Sequence, residues 1–220
     1  MSRHSALYWR AIRCALSIKV ALLLVLVSPG LLSPNTASAA LPHQEGLVLP
    51  FILSADGDRA LAVDCLADAI YYEAAFEPAD GQRAVAQVIV NRVRDPNFPN
   101  TVCGVVYQGW QRKTGCQFSF VCDGSLTRRP PRAEQHESAR RLAQDALSGY
   151  VVEAVGTATH YHTDYVDPYW APTLVEVAEI GQHIFYKWPG HAGDPDALDT
   201  LYEGGEAQAW ASIPLLRGRA

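Results

Sequence analysis

The chain has 220 residues, 49% of them hydrophobic and 19% charged, and a formal net charge of −5. That length suits one medium domain with a sizeable core. The acidic balance excludes nucleic acid as a natural partner, because phosphate binding depends on clustered Lys and Arg.

The first stretch, MSRHSALYWRAIRCALSIK, carries Arg3, Arg10, Arg13 and Lys19 and no acid, and the apolar run VALLLVLV follows it. A basic n-region, a short h-region and the small-residue site Ala37-Ser38-Ala39 read as an export signal over residues 1–39. The run of eight apolar residues is far below the roughly 20 that a spanning helix needs. Membrane association is therefore expected only if this segment stays uncleaved as an anchor. Removal leaves 181 residues with 14 basic against 23 acidic side chains, a net charge of −9. The expected location is the periplasm or cell envelope. Four cysteines remain after the signal: Cys65, Cys103, Cys116 and Cys122. An even count in an oxidising compartment predicts two disulfides, with three pairings open. The spacings fit none of the usual paired C-x₂-C zinc patterns.

Residues 40–62 are mixed in character and read as a linker or extended arm. Asp64 is a reasonable N-cap for a helix through about Phe76, ended by Pro78. PADGQRAVAQVIVNRV places Ala84, Val85, Val88, Ile89 and Val93 on one face of a second helix, stopped at Asp95-Pro96. A short third helix, capped near Asn100 or Thr101, is expected next. GCQFSFVCDG suits a small hairpin or ordered loop. Pro130-Pro131 opens a further helix ending near Gly149. VVEAVGTATHYHTDYV reads as a strand, DPYWAPT as a loop and LVEVAEIGQHIFYKW as extended segments. Residues 189–220 are rich in Gly, Ala, Pro and Asp without steady periodicity, and are expected to be mobile or loosely docked. There are no internal repeats.

One residue breaks the pattern of the first helix. Leu66, Ile70 and Glu73 fall at i, i+4 and i+7, the spacing of a core-facing stripe. A carboxylate there costs free energy unless it is paired or protonated. Desolvation raises its pKa, and a glutamate moved toward 6 or 7 keeps a proton that it can donate to a leaving group. Glycoside cleavage needs such an acid, because the bridging oxygen leaves as a poor alkoxide. The plainer alternative is a partly exposed glutamate paired with a basic neighbour such as Arg83.

CLADAIYYEAAFEPADGQRAVAQVIVNRVRDPNFPNTVCGVVYQG, followed in order by CQFSFVCDG, ATHYHTDYVDPYWAP and IGQHIFYKW, resembles the spore-cortex-lytic (SleB-like) type of cell-wall hydrolase over residues 63–188. The resemblance implies an α+β, mainly α, lysozyme-like domain with a small β-element beside the cleft. It implies peptidoglycan glycan strands as substrate, cut at the β-1,4 bond between N-acetylmuramic acid and N-acetylglucosamine. The family pattern is close to YxEARGEPxxGQxAVAxVxxNR. Its catalytic acid falls on Glu73 and its second glutamate on Glu77, while Ala75 and Phe76 stand where the family usually has Arg-Gly. With one carboxylate placed by the family pattern, the lytic transglycosylase reaction is expected over hydrolysis, which needs a second acid. Asp123, Asp164 and Asp167 are the acids available for that second role, although Asp123, before Gly124, also suits a turn.

QFS at 117–119 matches the family's cleft segment, so Gln117 and Ser119 are candidates to bond acetamido or hydroxyl groups, with Phe118 and Phe120 as core. Thr159, Tyr161 and Thr163 lie on one strand face, His160 and His162 on the other. With Trp170, the residues His160, Tyr161 and His162 are candidates for sugar binding, or members of a half-buried strand with satisfied histidines. A rival class uses the same His-x-His alternation, completed by His183 or Asp164, as the zinc site of a cell-wall peptidase or amidase. A third is a non-catalytic peptidoglycan-binding module. No residue in the leading reading serves as a metal ligand, and nothing in the sequence argues for a cofactor.

Overall fold

A computed structural model describes residues 47–54 and 57–217 of the chain. The export-signal reading of residues 1–39 lies outside the described residues. Among the described residues no helix is long and apolar enough to cross a membrane.

Helix α1 (Gly57–Ala74) is rich in alanine, the best helix former, and is followed by a turn before Pro78, which disfavours helical geometry at the preceding residue. It begins seven residues ahead of the expected cap. Asp64 is not a cap but an interior residue of α1, where it forms an ion pair with Arg140. After the turn at 75–78 comes α2 (Ala79–Arg94), which ends at Asp95, held extended by Pro96 as expected. Helix α3 (Val102–Val106) is capped by Thr101, whose side chain accepts from Gly104 N at 3.1 Å. A short α4 (Ser125–Arg128) precedes α5 (Ala133–Ala146).

Leu66 and Ile70 of α1, Val85 and Ile89 of α2, Val102 and Val105 of α3, and Leu142 and Ala143 of α5 meet in one core. Each large aliphatic side chain buried there contributes about 1.5–3 kcal/mol. The disulfides are Cys65–Cys103, which staples α1 to α3, and Cys116–Cys122, which closes an ordered loop containing a 3₁₀ turn at Ser119–Val121. The first spans a sequence separation of 38, and in the chain-entropy treatment a loop of that size is worth about 4 kcal/mol.

The β-element is a three-stranded antiparallel sheet ordered β1–β3–β2, from β1 (His160–Thr163), β2 (Val175–Ile180) and β3 (His183–Lys187). The long strand expected from residue 151 is only these four residues of β1. Residues 151–158 fold instead as turns that bury Val155 and Ala158. A second apolar cluster joins those two to Ala84 and Val88 of α2 and Phe185 of β3. Helix α2 therefore packs on the other helices with one side and on the sheet with the other. This mainly helical α+β architecture is the expected one.

The expected ends of the domain move outward in the structure. In the arm, Phe51 and Leu53 are buried, and Arg59 Nη1 donates to Leu53 O and Leu147 O at 2.6 and 2.7 Å. Residues 189–217 are not a loose tail. Glu206, the first residue of α6 (Glu206–Ser212), is fully buried and accepts from Val102 N at 2.6 Å and Cys103 N at 2.9 Å. Those are two of the amides that a helix start leaves without an internal partner. Asp58 in turn accepts from Gly205 N and Ala207 N at 2.9 and 3.2 Å. Leu198, Ile213 and Leu216 of the same segment are buried, the last two in the main core. Short Gly- and Pro-delimited turns bury single side chains without making a periodic pattern, so the sequence reads as unstructured where the fold is tied down.

Candidate active site

Glu73 lies in the last turn of α1, half-buried where the helix end meets the sheet. Its Oε2 accepts from the hydroxyl of Tyr161 on β1 at 3.4 Å. Burial pushes the Glu73 carboxyl up to about 7; the Tyr161 hydrogen bond and the Arg92 charge oppose that rise, and the Asp123 charge adds to it. The Tyr161 phenol is pushed well above its ordinary value, by burial first and by the neighbouring carboxyl second. Near neutral pH the pair is thus a protonatable carboxyl beside a phenol that stays a hydrogen-bond donor.

Arg92 is the cation of this site and the residue that the sequence reading missed. Val85, Ile89 and Arg92 fall at i, i+4 and i+7 on α2, the same spacing that singles out Glu73 on α1. The side chain is 3% exposed and its Nε donates to Thr159 O at 2.6 Å. Its guanidinium lies 5.2 Å from the Phe98 ring centroid and 5.5 Å from that of Phe118. Burial lowers its pKa to about 10, which leaves it charged at neutral pH. With the Gln117 amide oxygen turned toward it, Arg92 donates to Gln117 at 3.0 Å through Nη1 and 3.3 Å through Nη2. Gln117 therefore supports the cation, a different contact from the sugar contact expected of it. Ser119 is exposed at the start of the 3₁₀ turn, while Phe118 and Phe120 are core residues.

Asp123 accepts from Ser125 N at 2.7 Å, and its carboxylate is held below the ordinary range by the Ser125 side chain first, then by that amide and the charges of Arg129 and Arg128. It is the turn residue foreseen and also an anion whose field reaches Glu73. The segment between α4 and α5 rests on α1, through Tyr72 Oη donating to Arg129 O at 3.0 Å and Arg132 N donating to Tyr71 Oη at 3.1 Å.

Strand alternation puts Tyr161 on the helix-facing side of the sheet and His160 and His162 on the other. His160 packs edge-on against Trp188, with centroids 4.7 Å apart, and lies near Trp170. Burial lowers its pKa to about 4, so it is neutral. His162 stacks on Tyr186, with Nε2 3.0 Å from that hydroxyl, and Trp170 lies across both rings. His160, His162 and Trp170 thus form an aromatic patch on the sheet face away from Tyr161, and the structure does not gather them at Glu73. Among the described residues no three His, Cys, Asp or Glu side chains converge as a metal site, so the His-x-His peptidase reading gains no geometric support.

Two further contacts lie at the sheet end of the site. His183 is buried with its ring edge-on to Tyr161, centroids 5.0 Å apart. Glu77 Oε2 accepts from Gln182 N at 3.1 Å, tying the α1–α2 turn to the β2–β3 turn. Gly181, at φ +64°, lies so close to this carboxylate that a Cβ there would sit 1.8 Å from Glu77 Oε2. Any larger residue there would be strained in conformation and would push the Glu77 carboxylate aside. Elsewhere, concavities of about 560 and 550 Å³ open beside Arg59 and Arg140 and beside Phe51 and Tyr202; Glu73 and Tyr161 line neither.

Replacing Tyr161 with Phe is expected to remove the contact that lowers the Glu73 pKa. The alkaline limb of a kcat/KM–pH profile should move to higher pH. The rate at pH 6 should fall by no more than about tenfold, since the acid itself remains. A limb that stays in place or moves down contradicts this coupling.

Residues 76–186 match the family model described as Cell Wall Hydrolase. The match begins three residues after Glu73. The chain is 36% identical over 147 residues to the spore cortex-lytic enzyme of Bacillus cereus, covering 66% of this chain and 50% of that protein. It is 37% identical over 124 residues to the spore cortex-lytic enzyme of Halalkalibacterium halodurans, covering 56% and 34%. The chain thus spans half or less of the length of these curated relatives. Among solved structures, the catalytic domain of Bacillus cereus SleB aligns with TM-score 0.47 and 36% identity, over 58% of this chain and 91% of that one. The catalytic domain of the germination-specific lytic transglycosylase SleB from Bacillus anthracis aligns with TM-score 0.47 and 35% identity, over 58% and 94%.

Proposed function

Starting from the fact that this chain belongs to the Cell Wall Hydrolase family, we propose that it is an exported enzyme that cuts the glycan strand of peptidoglycan with Glu73 as general acid and base. The observation that carries the proposal is a half-buried carboxyl at a helix end, held near pKa 7 by desolvation and bonded by a phenol. A group with that pKa exists in both protonation states at neutral pH, as the two halves of the reaction require.

Glu73 first donates its proton to the glycosidic oxygen between C1 of N-acetylmuramic acid and C4 of N-acetylglucosamine, and the C1–O bond breaks. The Glu73 carboxylate then takes the proton of the muramic C6 hydroxyl as O6 bonds to C1, closing a 1,6-anhydro ring. No water is consumed, and the proton count on Glu73 is restored. The buried Arg92 charge stabilises the carboxylate between these two steps. Asp123 gives hydrolysis a second carboxylate to use. Its engagement by Ser125 and Arg129 favours instead a purely electrostatic role, raising the Glu73 pKa.

Digestion of purified sacculi with analysis of the products by mass spectrometry tests the proposal. The expected products are muropeptides ending in 1,6-anhydromuramic acid, one water lighter than hydrolytic products. Reducing muramic ends in their place would assign hydrolysis. New free amino groups with no new sugar ends would overturn the glycosidase reading in favour of peptide cleavage.

A further inference from the structure

Four large apolar side chains among the described residues are more than three-quarters exposed: Phe76 at 94%, Tyr169 at 93%, Leu201 at 79% and Tyr165 at 76%. Single exposed apolar residues are ordinary on a protein surface. Three of these four are aromatic, however, and they lie on the two segments that carry the Glu73–Tyr161 pair. Phe76 follows Glu73 by three residues. Tyr165 follows Tyr161 by four, and Tyr169 lies farther along the same loop.

One residue bonds both segments. Gln182 N donates to the side chain of Glu77, the neighbour of Phe76, at 3.1 Å. Gln182 O accepts from the amide of Asp164, the neighbour of Tyr165, at 2.8 Å. Phe76 and Tyr165 are therefore the sequence neighbours of the two residues joined by a single bridge. Both stand on tied backbone: Glu77 N donates to Ala74 O at 2.9 Å, and Val166 N donates to Thr163 O at 2.9 Å. Asp164 and Asp167, both exposed, lie on the same loop as the tyrosines and offer acceptors to hydroxyls. The backbone of both turns is already fixed, so binding there has little backbone entropy left to remove.

We propose that Phe76 and Tyr165, extended by Tyr169, form an aromatic rim that binds the glycan strand on either side of the bond being cut. β-1,4-linked N-acetylhexosamines carry their substituents equatorially, so each ring offers flat faces of C–H groups. Exposed aromatic rings match those faces, and the adjacent carboxylates match the hydroxyl edges. The rim rests on the function proposed above and adds a substrate-binding surface to it.

The test uses the full exported chain carrying Phe76→Ala, Tyr165→Ala or both, with purified sacculi for kinetics and a soluble N-acetylglucosamine hexamer for binding. The expected result is a three- to tenfold rise in KM and in hexamer Kd per ring removed. The kcat at saturation should stay within about twofold and circular dichroism should be unchanged, since neither ring is in the core. Phe76→Tyr and Tyr165→Phe should restore binding. If the wild type cuts sacculi and the double variant keeps KM and Kd within twofold, the rim is wrong and the catalytic proposal stands. If the wild type cuts no glycan but binds the hexamer through these rings, the catalytic proposal fails and the rim stands. A wild type that is dimeric on gel filtration and becomes monomeric in the double variant would assign the rings to self-association and overturn the rim.

Discussion

Replacing Glu73 with Gln is expected to lower release of anhydro-muropeptides from sacculi by at least about 10²–10⁴-fold while the protein stays folded, because the amide keeps the shape of the side chain and cannot transfer a proton. The same variant should be more stable than the wild type above neutral pH. Burial pushes the Glu73 carboxyl up to about 7 from the ordinary glutamate value of 4.5. Below about pH 4.5 both folded and unfolded states hold the proton and the wild type carries no penalty. Between 4.5 and 7 the unfolded chain releases its proton while the folded one retains it, so stability falls as pH rises. Above 7 the full penalty is present, up to about 3 kcal/mol for a shift of this size. Glutamine has no proton to lose, so its Tm advantage should grow from pH 5 to pH 8. Lost activity together with that gain marks a functional carboxyl held at a cost to the fold. Wild-type digestion by the variant, or a Tm gap independent of pH, contradicts the assignment.

Deleting residues 189–220 is expected to abolish cooperative unfolding. The truncation removes the Glu206 carboxylate from the amides of Val102 and Cys103, strips Leu198, Ile213 and Leu216 from the core, and leaves Asp58 without Gly205 and Ala207. Losing two hydrogen bonds at the α3 start costs about 1–3 kcal/mol, and three buried aliphatic side chains add about 1.5–3 kcal/mol each. That total is comparable to the whole stability of a domain this size. Glu206→Ala isolates the capping component and should lower stability by about 1–3 kcal/mol in urea denaturation. A truncated protein with a wild-type Tm would show that the segment is dispensable.

The parts of the fold legible in the sequence were those governed by local period and punctuation. The stripe on α1, the stop of α2 at Asp95-Pro96, the Thr101 cap and the two extended segments of the hairpin all follow from residues within a few positions of one another. The start of α1 was misplaced because Asp64 looks like a cap, and only Arg140, 76 positions later, shows why an aspartate is tolerated inside a helix. The docked C-terminal segment escaped notice for the same reason, since the partners of Glu206 lie 104 and 103 residues upstream. At the site, alternation correctly separated Tyr161 from His160 and His162. Both faces of that strand are aromatic, however, and nothing local says which one meets α1. Arg92 was available to the same spacing test as Glu73. The Gln117 contact with Arg92 is not legible in a linear chain, because the partner lies on α2, 25 positions upstream.

The central claim is that Glu73 holds its proton near neutral pH because the fold desolvates it. The most direct measurement is a carbon-13 NMR titration of glutamate-labelled protein, with the Glu73 carboxyl resonance identified by its loss in Glu73→Gln. A midpoint near 7 is the expected result. A midpoint near 4.5, the ordinary glutamate value, would contradict it.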